Sequence, residues 1–144
     1  MNRETISMAR FEVEFEVVNH EDEYRARNGM IDPEAVRRVR LKGLVDTDAT
    51  RLVLPEKAVK RLGLVPCGKV AVRYADGRRA VRPTVQDVQV RLLGRQSVFE
   101  ATVEPNRTTA LIGALVLETL DFLVDPTHQR LLPRDPKMII AEEE

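Results

Sequence analysis

The sequence lacks tryptophan altogether, contains a single cysteine (Cys67), and has only 4% aromatic residues. With so few aromatic side chains, the core must come mainly from valine, leucine and isoleucine, and this composition favours strands over helices. A lone cysteine excludes a disulfide within the chain and fits a reducing compartment, so a cytoplasmic location is expected.

The chain also has a formal net charge of zero, because 23 lysine and arginine residues balance 23 aspartate and glutamate residues. No apolar run reaches the roughly 20 residues of a membrane span, and the first residues lack the apolar core of a signal peptide. We therefore expect neither nucleic acid nor a membrane as a partner.

The length of 144 residues predicts a single domain over residues 1–144. Its core is expected at about 36–133, preceded by an N-terminal strand and loop over 1–34 and followed by a tail over 134–144. No internal repeat or low-complexity segment divides the chain.

Alternation of apolar and charged residues from Ala9 to Val17 predicts a strand with one buried and one solvated face. Its three glutamates could form an acidic metal-binding row, but a solvated face explains the alternation, and no metal site is assigned. Residues 20–33 are predicted to be a polar loop, in which His20 is given no role. The arginines alternating with apolar residues over Ala35–Val45 likewise favour a solvated strand face over a phosphate site.

Further along, Pro55 suits the first position of a helix over Glu56–Leu62 that ends at Gly63. The pair Asp76-Gly77 between two extended runs predicts a β-hairpin. Pro83 interrupts its second arm and suits an edge or a bulge. The remaining predicted elements are strands over 85–93 and 96–103, a buried strand over 110–113, a helix over 114–120, and a closing hairpin over 122–133. The fold class is therefore all-β with one or two short helices.

The stretch from Leu44 to Thr50 stands out because it carries a carboxylate, Asp46, at the tip of a tight turn between two apolar runs. Removing an unpaired carboxylate from water is costly. Ionisable groups in such positions are often functional, which makes Asp46 the candidate catalytic residue.

The residues around Asp46 resemble the Asp-Thr-Gly-Ala-Thr turn of the retropepsin-like aspartic proteases. Four further elements follow in the order found in small prokaryotic single-domain members, and the match covers roughly Val36 to Pro133. These elements are Leu52-Val53-Leu54-Pro55 with the helix to Gly63, the Tyr74-Ala75-Asp76-Gly77 hairpin, Leu111-Ile112-Gly113 before a helix, and Val124-Asp125-Pro126 with Arg130-Leu131-Leu132-Pro133. The resemblance implies the closed β-barrel of the acid protease fold.

The resemblance also implies a mechanism. Two chains would form a homodimer in which Asp46 meets its copy, and the pair would hydrolyse a polypeptide with an activated water and without metal or cofactor. Two full charges about 3 Å apart repel by roughly 5–6 kcal/mol at an effective dielectric of ~20. The pair therefore holds one proton, and one carboxylate acts as base while the other acts as acid.

The resemblance gives roles to the neighbouring residues as well. Thr47 would bond across the dimer, with Ala49 completing the turn. Tyr74, Ala75, Asp76 and Gly77 would form a flap that closes over an extended peptide. Leu111, Ile112 and Gly113 would pack behind the catalytic turn, where glycine allows close backbone approach.

Asp48 departs from the family pattern, which has glycine at this position. Asp48 could raise the proton affinity of the dyad and impair activity, point into solvent, or bind a cation. Two hypotheses follow: a homodimeric aspartic endopeptidase, or a catalytically impaired dimeric module that binds extended peptides.

Overall fold

Strands dominate the architecture. A computed structural model of the chain describes residues 10–143, which form nine strands and three α-helices. The strands are β1 (Phe11–Asn19), β2 (Arg38–Val45), β3 (Leu52–Pro55), β4 (Pro66–Arg73), β5 (Arg79–Leu92), β6 (Arg95–Glu104), β7 (Ala110–Ile112), β8 (Phe122–Asp125) and β9 (Arg130–Pro133). The helices are α1 (His20–Arg27), α2 (Glu56–Leu62) and α3 (Ala114–Leu120), and a 3₁₀ turn spans Pro33–Ala35.

Six of the strands close into a barrel in the order β1-β2-β7-β3-β6-β5. Closure depends on β5, whose first half pairs with β4 and whose second half pairs with β1, with a register shift between Val85 and Val88. The strand β4 extends from the barrel as an edge. The expected all-β fold with a closed barrel is confirmed.

The core is mainly aliphatic, as the composition predicts. Its fully buried side chains include Phe15, Leu52, Leu54, Leu62, Leu92, Ile112 and Leu120. The helix α2 ends at Gly63 in the left-handed conformation (φ 62°), as predicted, and buries Ala58, Val59 and Leu62.

The prediction of a polar loop over residues 20–33 is wrong in its first part, because residues 20–27 form α1. The side chain of Asn19 caps this helix by accepting a hydrogen bond from the Asp22 backbone N–H at 3.0 Å. Acidic residues in the first turn and basic residues in the last turn interact favourably with the helix dipole. The one buried residue of α1 is Asp22. Because the helix buries no apolar side chain, its sequence lacks the apolar periodicity by which a helix is usually predicted.

Two strand details also differ from expectation. The predicted strand over Ala9–Val17 lies at Phe11–Asn19 in the structure, and Ala9 falls outside the described residues. Residues 79–92 form one continuous strand, in which Pro83 pairs with Lys69 of the edge strand and lies just beyond the residues that pair with β6. A missing N–H is tolerated at such a position.

The last hairpin, β8–β9, forms as predicted and is followed by a segment held to Asp121 at the C-terminal end of α3. The backbone N–H of Ile140 donates to Asp121 Oδ2 at 3.0 Å, and Arg134 forms an ion pair with Asp121 at 2.8 Å. These contacts, led by the Ile140 N–H, lower the pKa of Asp121. Among residues 10–143, no helix is both long and apolar enough to cross a membrane.

Candidate active site

Asp46 follows β2 directly and begins a tight turn. The backbone N–H of Ala49 donates to the Asp46 carbonyl at 3.2 Å, and the N–H of Asp48 donates to Asp46 Oδ1 at 3.0 Å. The backbone N–H of Asp46 donates to the Ile112 carbonyl at 3.1 Å. The side chain is 12% exposed, so the carboxylate is fixed in direction yet still reachable from outside.

The turn does not lead into a hairpin, because β7 lies between β2 and β3. The chain after β7 supports the turn from behind, where the N–H of Ala114 donates to Ala49 O at 2.8 Å and that of Leu115 donates to Thr50 O at 3.0 Å. A Cβ on Gly113 would lie 2.5 Å from the Arg51 carbonyl oxygen and 2.7 Å from that of Ala49. Only glycine permits this contact between backbones.

The side chains of the predicted site residues differ in their surroundings. Thr47 and Asp48 are exposed, Ala49 is partly buried, and Ile112 is fully buried behind the turn. Leu111 points towards the opposite side and lines a cleft together with Asp46, Asp48 and Ala49.

This cleft has a volume of about 730 Å³ and runs between the Asp46 turn and the hairpin formed by β4 and β5. Val70, Val72, Tyr74 and Ala75 of the hairpin line it. Asp76 and Gly77 form the exposed tip, where Gly77 has a φ of 87° and donates its N–H to Tyr74 O at 2.9 Å. The Arg78 backbone N–H lowers the pKa of Asp76, followed by the Arg78 side chain. Asp76 is thus ionised at the tip of the hairpin.

Arg10 is a site residue that the sequence did not reveal. Its guanidinium lies 3.6 Å from Asp46 Oδ1 and 3.8 Å from Asp48 Oδ2. Arg10 precedes β1, and the pairing of Phe11 with Val45 brings it beside the turn. Nothing in the local pattern around Arg10 indicates this contact, because it depends on strand register.

Glu104 is a second residue that sequence reasoning missed. It is buried at the end of β6, where it accepts hydrogen bonds from the Tyr74 hydroxyl at 2.8 and 3.0 Å and pairs with Arg82 Nε at 2.9 Å. The hydrogen bond with Tyr74 and the neighbouring Glu104 raise the pKa of Arg82. This network ties the β4–β5 hairpin to the barrel.

No cluster of three or more potential metal ligands occurs among the residues that the structure describes. A smaller cleft of about 440 Å³ shares Arg107 with the Asp46 cleft and is also lined by Lys57 and Arg61, but by no carboxylate. The Asp46 cleft is therefore the candidate active site.

A family model for aspartyl proteases matches residues 28–116. The chain belongs to the aspartyl protease family. No curated protein matches this chain.

Solved structures that match this chain include two viral proteins and one protease-like domain. The foamy viral protease-reverse transcriptase aligns with a TM-score of 0.47 and 19% identity, covering 67% of this chain and 11% of its own. The retroviral protease-like domain of Ddi1 from Leishmania major has a TM-score of 0.47 and 20% identity over 67% of this chain and 81% of that domain. The simian foamy virus protease has a TM-score of 0.43 and 18% identity over 54% and 80%.

Proposed function

We propose that this aspartyl protease is a homodimeric endopeptidase in which Asp46 and its copy form the catalytic dyad. One carboxylate removes a proton from a water molecule, and the other, protonated, donates to the scissile carbonyl. The β4–β5 hairpin acts as a flap over an extended peptide, with Tyr74, Ala75, Asp76 and Gly77 towards its tip.

The observation that carries the proposal is which partners each of the three carboxylates in the cleft has. Glu104 is engaged by Tyr74 and Arg82, and the Asp48 side chain is 64% exposed and directed to Arg10. Asp46 is nearly buried and oriented by the Asp48 backbone N–H, and its one cationic neighbour among the described residues is Arg10 at 3.6 Å. One chain thus supplies a single suitable group, and the second comes from another copy.

Supporting roles follow from the same geometry. Thr47 is exposed beside Asp46 and free to hydrogen-bond across the dimer, while Ala49, Ile112 and Gly113 keep the turn in place and Leu111 lines the cleft. Arg10 offsets the charge that Asp48 adds, so that each turn carries the net charge of one carboxylate. No metal or cofactor takes part in this mechanism.

Asp48 favours one alternative, a dimeric module that binds extended peptides without cleaving them. Replacing glycine with a carboxylate adds negative charge beside a dyad that should hold only one negative charge. In that case the cleft binds peptide whether or not Asp46 is ionisable, and Asp48→Gly creates activity.

Asp46→Asn distinguishes the two functions, because an amide cannot act as a general base. If the protein is an endopeptidase, Asp46→Asn should lower the rate at which it cleaves unfolded protein between pH 4 and 8 by at least about a thousandfold, as expected for the loss of a general base. Sedimentation should show the same oligomeric state for both proteins. Glu118→Gln, an exposed carboxylate on α3, provides the matched control and keeps full activity. Wild-type cleavage no faster than that of Asp46→Asn would refute the endopeptidase, and peptide binding by both proteins would support the module.

A further inference from the structure

We propose that the cleft selects peptides with acidic side chains beside the scissile bond, and that Arg51, Arg73 and Arg107 bind those side chains. This inference rests on the proposed function, because it names the substrate class of the same site. The observation behind it is an excess of unpaired positive charge on the cleft walls.

The cleft is lined by four arginines and three carboxylates. All three carboxylates already have a cationic partner. Arg10 lies within 4 Å of both Asp46 and Asp48, and Glu104 is paired with Arg82. No carboxylate of the cleft is therefore left to neutralise the other arginines.

Arg51, Arg73 and Arg107 remain without an acidic partner, since no carboxylate of residues 10–143 lies within 4.0 Å of their guanidinium groups. Arg51 and Arg73 are exposed, one beside the Asp46 turn and the other on the hairpin opposite. Arg107 is partly buried and oriented by a hydrogen bond from its Nε to the Thr109 carbonyl at 2.9 Å. The three groups thus surround the cleft from different elements.

This charge is local, because the chain as a whole has no net charge. A guanidinium presents paired N–H donors that match the two oxygens of a carboxylate. Successive side chains of an extended peptide point to opposite sides, so glutamates near the scissile bond can meet arginines on either wall. A peptide with glutamine at the same positions offers a neutral oxygen and gains much less.

The test uses two fluorescein-labelled decapeptides with blocked termini, identical except for glutamate or glutamine on both sides of a central Leu-Phe pair. Binding to the full-length Asp46→Asn protein is measured by anisotropy at low and at physiological salt. We expect the glutamate peptide to bind about tenfold tighter, the factor that 1.4 kcal/mol represents. The preference should decrease with salt.

Variants identify the groups responsible. The triple change Arg51→Gln, Arg73→Gln, Arg107→Gln should abolish the preference, whereas Arg25→Gln should keep it, because Arg25 lies on α1 and pairs with Glu21. Thermal melting checks that the triple variant folds. If it does not fold, the three single variants replace it, and each is expected to weaken the preference for the glutamate peptide. Equal binding of both peptides, binding of neither, or a preference that survives the arginine changes would overturn the inference.

Cleavage by the wild-type protein separates this inference from the proposed function. Efficient cleavage of the glutamine peptide with no gain from glutamate would overturn the substrate preference and leave the endopeptidase standing. A glutamate preference in binding, with wild-type cleavage of unfolded protein no faster than that of Asp46→Asn, would support the preference and refute catalysis.

Discussion

At the scale of single residues, Asp48 and Arg10 form a unit. Asp48 donates its backbone N–H to Asp46, which a glycine could equally do, but its side chain brings an additional negative charge. The guanidinium of Arg10 lies within 4 Å of both carboxylates. An arginine just before the neighbouring strand β1 thus lies where it can offset the charge that Asp48 adds to the turn.

Removing Arg10 alone should slow cleavage. In Arg10→Gln the charge of Asp48 beside the dyad is no longer offset, so kcat/KM should fall by about tenfold, the factor that 1.36 kcal/mol of barrier represents. The double variant Arg10→Gln/Asp48→Gly should recover most of the loss, as measured by kcat/KM of wild type, Arg10→Gln, Asp48→Gly and the double variant.

The remaining charged groups that line the cleft are the same in all four proteins, so they cancel in the comparison: Arg51, Arg73, Glu104 and Arg107. Arg25→Gln serves as a control for loss of one positive charge far from the turn. If the two changes were additive, with no recovery in the double variant, Arg10 and Asp48 would act independently.

At the scale of elements, α1 is fixed to the barrel by a charged contact. Asp22 accepts hydrogen bonds from Arg37 Nε at 2.8 Å, from its Nη2 at 3.0 Å and from its backbone N–H at 3.0 Å. The side-chain bond from Arg37 is the largest cause of a lowered pKa of Asp22. Asn19 adds a second link by donating to the Leu62 carbonyl at the end of α2.

This contact should make stability depend on pH. Because the pKa of Asp22 is lower in the folded state, its contribution is complete above the unfolded value of 3.8 and is lost as the pH falls through the folded value. Asp22→Asn should reduce the free energy of unfolding by about 1–2 kcal/mol at pH 7. The difference from wild type should shrink below pH 3.8, measured by urea unfolding.

Glu34→Gln, an exposed carboxylate in the neighbouring 3₁₀ turn, is the matched control and should change stability little at either pH. A stability difference for Asp22→Asn that stays constant from pH 7 to pH 3 would show that the ionised carboxylate is not the source of the effect.

At the scale of the whole molecule, the proposed dyad exists only when two chains meet. The specific activity should therefore fall on dilution, and the initial rate should rise with the square of chain concentration below the dissociation constant. Progress curves over a dilution series from micromolar to nanomolar, with sedimentation under the same conditions, provide the measurement.

Mixing gives an independent control. An excess of Asp46→Asn protein should suppress wild-type activity by forming mixed pairs with one ionisable carboxylate, whereas the same mass of albumin should not. A rate that is linear in chain concentration throughout, and insensitive to the variant, would contradict the shared site.

The sequence by itself determined those features that depend on about ten neighbouring residues. Alternating polarity fixed β1 and β2 to within two or three residues, Gly63 fixed the end of α2, and the Asp76-Gly77 pair fixed the hairpin. The turn at Asp46 belongs with them, because its residue types are contiguous. The helix α1 was not predicted, because it has no apolar stripe and is stabilised by its cap and by Arg37.

Only the tertiary structure decided which distant residues share the cleft. Strand register brings Arg10 to Asp46 and Glu104 to Tyr74, across 36 and 30 residues of sequence. The antiparallel pairing of β1 with β2 sets the first register, and the pairing of β5 with β4 and with β6 sets the second. Such pairings depend on the balance of contacts over the entire barrel, and no local pattern of residues encodes that balance.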